Sequence, residues 1–177
     1  MNCIIIGPQG SGKSTQAELL SQKMNLPHLQ TGSLYRRIKQ RQTVLGRRIK
    51  LFLDKGQLVP DKDHNQILAK EVVKSKYRSG FVLDGSPRTL SQAKTQPFVV
   101  DKVFYLRVGD KKSIKRLLKR KRIDDTPALI AERLRLYHQE TEPVLEYYRQ
   151  KGILVEIDGE QSIEAIHQEM MKIINNA

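Results

Sequence analysis

The chain has 177 residues, of which 38% are hydrophobic and 29% charged. This balance is typical of one folded domain with a buried core and excludes a disordered chain. No apolar run approaches the roughly 20 residues that a membrane-spanning helix needs. The single cysteine, Cys3, cannot build a disulfide framework or a cysteine-rich zinc site. Because the N-terminus also lacks the pattern of a signal peptide, we expect a cytoplasmic protein without membrane attachment.

The net charge of +13 is concentrated in two segments. Residues 36–50 contain seven basic residues and no acidic one, and residues 111–122 contain eight basic residues and again no acidic one. The rest of the chain carries 17 basic against 19 acidic residues. Basic patches of this kind predict anionic partners, such as phosphorylated small molecules or nucleic acid.

Short apolar runs alternate with amphipathic stretches along the first half of the chain. Asn2–Ile6 predicts a strand, and Lys13–Met24 predicts a helix after a glycine-rich turn. Residues 27–30 predict a short second strand, and residues 33–41 a basic helix with Ser33 as its N-cap. A further helix is expected to end near residue 55, where Gly56 suits the position after the last turn.

The same alternation continues through the second half. The predicted elements are a helix over about residues 61–76, a strand at Phe81–Asp84, a strand at 102–108, a basic helix from about residue 110, a helix from residue 126 that Pro143 should kink, a strand at 153–157 and a helix at 162–174. Alternating units of this length predict an α/β fold with a parallel sheet of about five strands, flanked by helices. Ligands bind at the carboxyl ends of the strands in such folds.

The strongest motif runs from Gly7 to Thr15 and matches the P-loop pattern between a strand and a helix. Its glycines let backbone N–H groups approach phosphate oxygens, and the helix N-terminus attracts negative charge. Lys13 is expected to reach the β and γ phosphates, and the Ser14 hydroxyl to bind Mg²⁺. The sequence therefore predicts a site for a nucleoside triphosphate within a P-loop NTPase fold.

Several further segments follow the P-loop in a fixed order: Gln30-Thr31-Gly32-Ser33-Leu34-Tyr35-Arg36, Gly56-Gln57-Leu58-Val59, Leu83-Asp84-Gly85-Ser86-Pro87-Arg88-Thr89, Lys115-Arg116-Leu117-Leu118-Lys119-Arg120, Arg122-Ile123-Asp124-Asp125 and the stretch from Arg133 to Pro143. Together they resemble the adenylate kinases of the nucleoside monophosphate kinase family over nearly the whole chain. The resemblance implies the Mg²⁺-dependent reaction ATP + AMP ⇌ 2 ADP.

The resemblance also implies the residues of the site. On the catalytic side these are Lys13, Arg88, Arg120, Arg122 and Arg133. The implied ATP-binding residues are Gly10, Ser11, Gly12, Lys13, Ser14, Thr15, Arg116, Arg120 and Gln161. The implied AMP-binding residues are Thr31, Gly32, Arg36, Gln57, Leu58, Val59, Gly85, Ser86, Arg88, Gln92, Arg122 and Arg133. Guanidinium groups suit the AMP phosphate because their paired N–H groups match its oxygens, and the Gln92 amide suits adenine.

In the metal site, Ser14 would bind Mg²⁺ and Asp84 would hold it through water. The chain is expected to form one nucleotide kinase domain over residues 1–177, with a helical AMP-binding insertion at about 31–60 and a short lid at about 116–126. Only Lys121 separates Arg120 from Arg122, so the lid is minimal and has no four-cysteine zinc site. We expect a monomer whose short lid slows transfer or permits ATP hydrolysis.

Two departures from the family pattern concern the AMP side. Ser33 stands where an aspartate is usual, and Ser86 replaces the usual aromatic residue before Pro87, which would thin the wall of the AMP pocket. Two alternative functions remain. One is a kinase for another monophosphate, such as CMP, UMP or dAMP. The other is a basic P-loop ATPase with an RNA-linked role, against which aromatic residues for base stacking are few.

Overall fold

The computed structural model describes residues 1–120 and 125–176. In these ranges five parallel strands form one sheet in the order β2-β3-β1-β4-β5. The strands are β1 (Asn2–Ile6), β2 (His28–Gln30), β3 (Phe81–Asp84), β4 (Lys102–Arg107) and β5 (Leu154–Asp158). The predicted P-loop α/β fold with about five parallel strands is confirmed.

Helices connect the strands and cover the sheet. They are α1 (Lys13–Met24), α2 (Thr31–Lys39), α3 (Val44–Asp54), α4 (Asp61–Val72), α5 (Leu90–Thr95), α6 (Asp110–Arg120), α7 (Pro127–Leu136), α8 (Glu142–Gln150) and α9 (Ile163–Asn175). A 3-10 turn lies at Ser75–Tyr77 and a π-helical turn at Tyr137–Thr141. Within the described ranges, no helix has the length and apolar character needed to cross a bilayer.

Side chains alternate between the two faces of the central strand β1. Ile4 and Ile6 belong to the apolar cluster that contains Leu68 of α4 and Tyr148 of α8. Cys3 and Ile5 pack in the opposite cluster, between α1 and α9. Because both faces are buried, this strand is a continuous apolar run in the sequence.

Two helix boundaries differ from the prediction. Helix α2 begins at Thr31 and has Gln30 as its N-cap, so the prediction of Ser33 as the cap is wrong. The Ser33 hydroxyl instead donates to the Gln30 side chain and accepts from Arg36, inside the first turns. Helix α4 ends at Val72, and the chain continues into the short 3-10 turn that was predicted as helix.

Other local signals acted as predicted. Thr126 caps α7 by accepting a hydrogen bond from the Leu129 backbone, and Pro127 occupies the first helical position. Gly56 has a φ of +70° and follows Lys55, the C-cap of α3. The irregularity that was expected at Pro143 is the π-helical turn that immediately precedes α8. Local chemistry therefore fixed most element ends.

Candidate active site

The P-loop connects β1 to α1 at the carboxyl edge of the sheet. Gly10 and Gly12 have φ values of +84° and +91°, which a residue with a side chain rarely adopts. At Gly10 a Cβ atom would also lie 2.6 Å from the backbone oxygen of Ser113. The tight turn therefore requires glycine and leaves backbone N–H groups available to a phosphate.

Lys13 lies at the start of α1 and donates to the Pro8 carbonyl oxygen over 3.0 Å. Burial lowers the pKa of its ammonium group to about 8, although the nearby Asp84 carboxylate opposes the shift and Arg88 and Arg120 add to it. The charged form of Lys13 is thus disfavoured in the nucleotide-free site. A bound triphosphate would stabilise its charge.

Asp84 ends β3 beside the P-loop and is almost completely buried. Its Oδ2 accepts hydrogen bonds from Ser14 Oγ (2.6 Å) and Gln30 Nε2 (3.1 Å). Burial would raise the pKa of the carboxyl group, but the His28 ring, Lys13 and the two hydrogen bonds outweigh it and lower the pKa to about 2. Asp84 is therefore a carboxylate throughout the neutral range.

The other oxygen of Asp84 fits a metal ion. Among the described residues, buried Oδ1 has no hydrogen-bond partner. An unpartnered carboxylate oxygen next to a serine hydroxyl is a donor pair that suits Mg²⁺, which prefers oxygen ligands and keeps several of its waters. The geometry is therefore compatible with the predicted pair of Ser14 and Asp84.

Arginine side chains from several elements face the P-loop. Arg88 lies in the loop after β3, where its Nε donates to the Gly85 carbonyl oxygen over 2.9 Å and where burial lowers its pKa. Arg133 of α7 reaches Gln9 of the P-loop (3.5 Å). Arg36, on α2, donates to Ser33 Oγ over 2.8 Å. These guanidinium groups form a positive wall opposite the phosphate-binding turn.

Asp125 connects an arginine of the lid region to an arginine of α7. Its carboxylate accepts two hydrogen bonds from Arg120, at 2.8 and 2.9 Å, and lies 3.7 Å from Arg133. The carboxylate is buried, while Arg120 is partly exposed. Arg122, which was predicted to bind phosphate, lies outside the described residues.

One cleft collects most of the predicted residues. Its cavity volume is about 440 Å³, within the roughly 300–1000 Å³ that is usual for small-molecule sites. The cleft joins the P-loop to the loop after β3. Of the predicted residues, it is lined by Gly10, Lys13, Ser14, Gly32, Arg36, Gln57, Leu58, Val59, Asp84, Gly85, Arg88, Gln92, Arg120 and Arg133.

Other predicted residues stand beside the cleft or apart from it. Ser86 lines a smaller adjoining pocket, and the Thr31 hydroxyl donates to the Asp84 carbonyl oxygen. Arg116 donates to the Gly159 carbonyl oxygen (3.0 Å), next to the P-loop. Thr15 is exposed on α1. Gln161 is exposed as well, and its amide points to Glu169 of α9, so this position gives the predicted ATP contact no support.

Gln92 has a different environment from the one expected. It is buried at the cleft wall, where its Oε1 accepts from the Arg88 backbone N–H (2.8 Å) and its Nε2 donates to Asp61 (2.9 Å). Both ends of the amide are thus bonded to protein. One lone pair and one N–H remain for a base.

Sequence reasoning missed several cleft residues. Gln9 occupies a variable position of the P-loop pattern, and Tyr35 and His64 also line the cleft. The ion pair of Asp125 beside the cleft was missed as well. Only Asp125 carried a signal, because acids that closely follow a basic run suggest an ion pair.

A P-loop that faces guanidinium groups across one cleft is typical of the P-loop enzymes that transfer phosphoryl groups. The family model for adenylate kinase matches residues 5–153. The chain belongs to the adenylate kinase family, as the sequence resemblance had indicated.

Curated relatives agree over nearly the full length. The chain is 40% identical to the adenylate kinase of Azobacteroides pseudotrichonymphae, with 99% of this chain and 98% of the relative covered. It is 36% identical to that of Nocardia farcinica, with 98% and 99% covered. It is 33% identical to that of Archaeoglobus fulgidus, with 98% of both covered.

Proposed function

We propose that the chain catalyses ATP + AMP ⇌ 2 ADP and that the cleft binds both nucleotides at once. Family membership supports the reaction, and the P-loop facing Arg36 and Arg88 across one cleft is the observation that carries it. ATP would lie with its phosphates in the P-loop over Lys13. The AMP phosphate would lie between Arg36 and Arg88.

In the transfer step an AMP phosphate oxygen attacks the γ-phosphorus of ATP. The new P–O bond forms as the bond to the β–γ bridging oxygen breaks, so both products are ADP. This chemistry needs positioning and charge neutralisation more than a general base. Lys13, Arg88, Arg120, Arg122 and Arg133 would supply the cations.

Mg²⁺ is the proposed cofactor, held by Ser14 and, through water, by Asp84. When bound, it would neutralise charge on the β and γ phosphates. Ser14 already donates its proton to Asp84, so the hydroxyl oxygen keeps its lone pairs for the metal. Within the chain, these two residues orient each other across the gap between α1 and β3.

The domain plan stays a proposal too. Helices α2 and α3 share an apolar cluster that contains Leu34, Ile49 and Val59, which supports an AMP-binding insertion over about residues 31–60. A lid over about residues 116–126 would include the end of α6 and the Asp125 ion pair. We expect the domain to work as a monomer in the cytoplasm. Burial raises the pKa of the Cys3 thiol to about 11, so this cysteine is a poor redox group.

The test is ADP formation from ATP with AMP, CMP, UMP, dAMP or no acceptor, with and without Mg²⁺. We expect AMP-selective, Mg²⁺-dependent turnover. Lys13→Ala should lower kcat by about 10²–10³-fold, as removal of one transition-state donor does. Lys23→Ala changes an exposed lysine on the same helix and is the matched control.

Two outcomes would contradict the proposal. Preference for another monophosphate would change the acceptor, and hydrolysis without AMP-dependent transfer would mean that the short lid fails to exclude water. Arg88→Ala tests the AMP side of the site: AMP-dependent turnover should fall in this variant and stay unchanged in Arg78→Ala, an exposed control. If both variants bind RNA as the wild type does, with the same salt dependence, the site has no role in the RNA-linked alternative.

A further inference from the structure

A buried chain of three polar side chains lies in the wall of the AMP side of the cleft. The Tyr35 hydroxyl is hydrogen-bonded to Nδ1 of His64, and Nε2 of the same ring is hydrogen-bonded to Ser86 Oγ at 2.9 Å. Tyr35 is 9%, His64 2% and Ser86 4% exposed. The imidazole therefore joins two hydroxyl groups away from water.

A neutral imidazole fits these hydrogen bonds. A neutral ring offers one donor and one acceptor, and a hydroxyl can play either part, so every ring nitrogen is satisfied in either tautomer. Burial lowers the pKa of His64 to about 4; Asp61 opposes this shift and Arg88 adds to it. The ring is therefore uncharged at neutral pH and bridges its partners without adding charge beside the arginines.

The three residues come from the three segments that build the AMP side. Tyr35 lies on α2 next to Arg36, His64 lies on α4, and Ser86 lies in the loop that leads to Arg88. A second link joins the same helix and loop one turn earlier, where the Thr31 hydroxyl donates to the Asp84 carbonyl oxygen. Two links one turn apart fix how α2 lies against the loop.

The His64 ring lies beside Ser86, the position where the family pattern has an aromatic residue. It also contacts the Tyr35 ring edge to face, with 6.3 Å between the ring centroids. The wall is thus polar on the inside, where the family pattern has an apolar side chain.

We propose that His64 is a positioning residue for the monophosphate acceptor: through Tyr35 and Ser86 it sets the spacing of α2 and the Gly85–Arg88 loop, and hence of the two arginines that grip the AMP phosphate. This inference rests on the proposed function. The three hydrogen-bonded side chains should therefore affect AMP affinity and not ATP affinity, because the P-loop is not among their partners.

The test compares binding of AMP and of ATP by calorimetry in Tyr35→Phe, Ser86→Ala and the double variant. Each single change removes one hydrogen bond, and we expect AMP Kd to rise about 5–10-fold with ATP Kd unchanged within about twofold. In the double variant, AMP Kd should rise by less than the product of the two single increases, because both changes act through the His64 ring.

A third variant separates positioning from packing. Tyr35→Phe, His64→Leu and Ser86→Ala together replace the whole chain by apolar groups, which leaves no buried polar atom unpaired and should restore much of the Tm. AMP Kd should stay raised. Ile67→Val, a small packing change on the same α4, is the control that lowers Tm without affecting AMP Kd.

Three results would overturn the inference: unchanged AMP Kd in all variants, equal weakening of AMP and ATP, or recovery of AMP affinity together with Tm in the triple variant. Wild-type protein that binds ATP but no AMP would instead refute the proposed function, and the inference with it. Wild-type AMP binding and turnover with unaffected variants would refute the inference alone.

Discussion

The Ser14 hydroxyl donates a 2.6 Å hydrogen bond to Asp84, a residue 70 positions further along the chain. This bond joins the start of α1 to the end of β3, the strand that pairs with β1. It depends on the parallel pairing of β1 with β3, which places Ile5 opposite Asp84. The two proposed magnesium ligands are therefore already adjacent in the nucleotide-free protein.

Asp84→Asn removes the charge at this junction and preserves its shape. We expect kcat to fall by about 10²-fold or more and the Mg²⁺ concentration for half-maximal activity to rise, because an amide oxygen is a weaker partner for a hydrated cation. Activity is measured across a Mg²⁺ titration. The control Glu146→Gln removes an exposed carboxylate on α8. An unchanged Mg²⁺ dependence would exclude Asp84 from the metal site.

ATP binding should be coupled to proton uptake near pH 8. The Lys13 pKa is about 8 without nucleotide, so part of the population is neutral there, and the phosphates should restore the proton. Calorimetry in buffers of different ionisation enthalpy measures the uptake. At pH 6.5 Lys13 is already protonated, and its contribution should vanish. Lys13→Gln should abolish the proton uptake at pH 8; a buffer-independent enthalpy for wild type at pH 8 would contradict the assignment.

Arg48 and Arg47 are adjacent arginines with different environments. Both are exposed on α3, but Arg48 donates two hydrogen bonds to the buried Asp63 carboxylate, one of them at 2.7 Å from Nε. Arg48→Ala leaves that carboxylate unpaired and should destabilise the protein by about 1–3 kcal/mol. Arg47→Ala should change stability by less than about 0.5 kcal/mol. Thermal unfolding measures both, and equal Tm values would show that the ion pair contributes nothing.

Gly85 and Gly152 both have positive φ, at +87° and +69°. A Cβ at Gly85 would lie 2.8 Å from Thr31 Oγ1, at the link between α2 and the loop, whereas one at Gly152 would meet nothing within 4 Å. Gly152→Ala should therefore cost only the backbone strain, about 1–2 kcal/mol of stability. Gly85→Ala should cost this and also raise the KM for AMP about tenfold or more. Steady-state kinetics that show equal KM values in both variants would contradict the proposed AMP wall.

Acid should destabilise the protein partly through His64. Its pKa is about 4 when folded and about 6.5 when unfolded, so the unfolded chain binds more protons between these values. The contribution of the neutral ring to stability is fully present above pH 6.5 and is lost as the pH falls toward 4. Urea unfolding from pH 7 to 5 should give a steeper loss of unfolding free energy for wild type than for the apolar triple variant. Parallel slopes would contradict the buried, neutral assignment.

The order of elements could be predicted because its signals are local. An apolar run before a glycine-rich turn marks β1 and the P-loop, and Thr126-Pro127 marks the start of α7, since a cap needs only residues within one turn. Ser33 shows the limit of such signals. Its hydroxyl could have capped a helix, but partners on Gln30 and Arg36 satisfy it within a helix that begins two residues earlier.

The class of fold, the P-loop and the family could be predicted from the amino-acid sequence, since these depend on periodicity and on motifs read along the chain. Which side chains meet could be seen in the three-dimensional structure alone. It joined Ser14 to Asp84, paired Arg120 with Asp125, turned the Gln92 amide toward Asp61 and placed His64 between Tyr35 and Ser86. The physical reason is that a buried polar group must find a partner wherever the packing of distant segments supplies one, and no local pattern in the sequence records that packing.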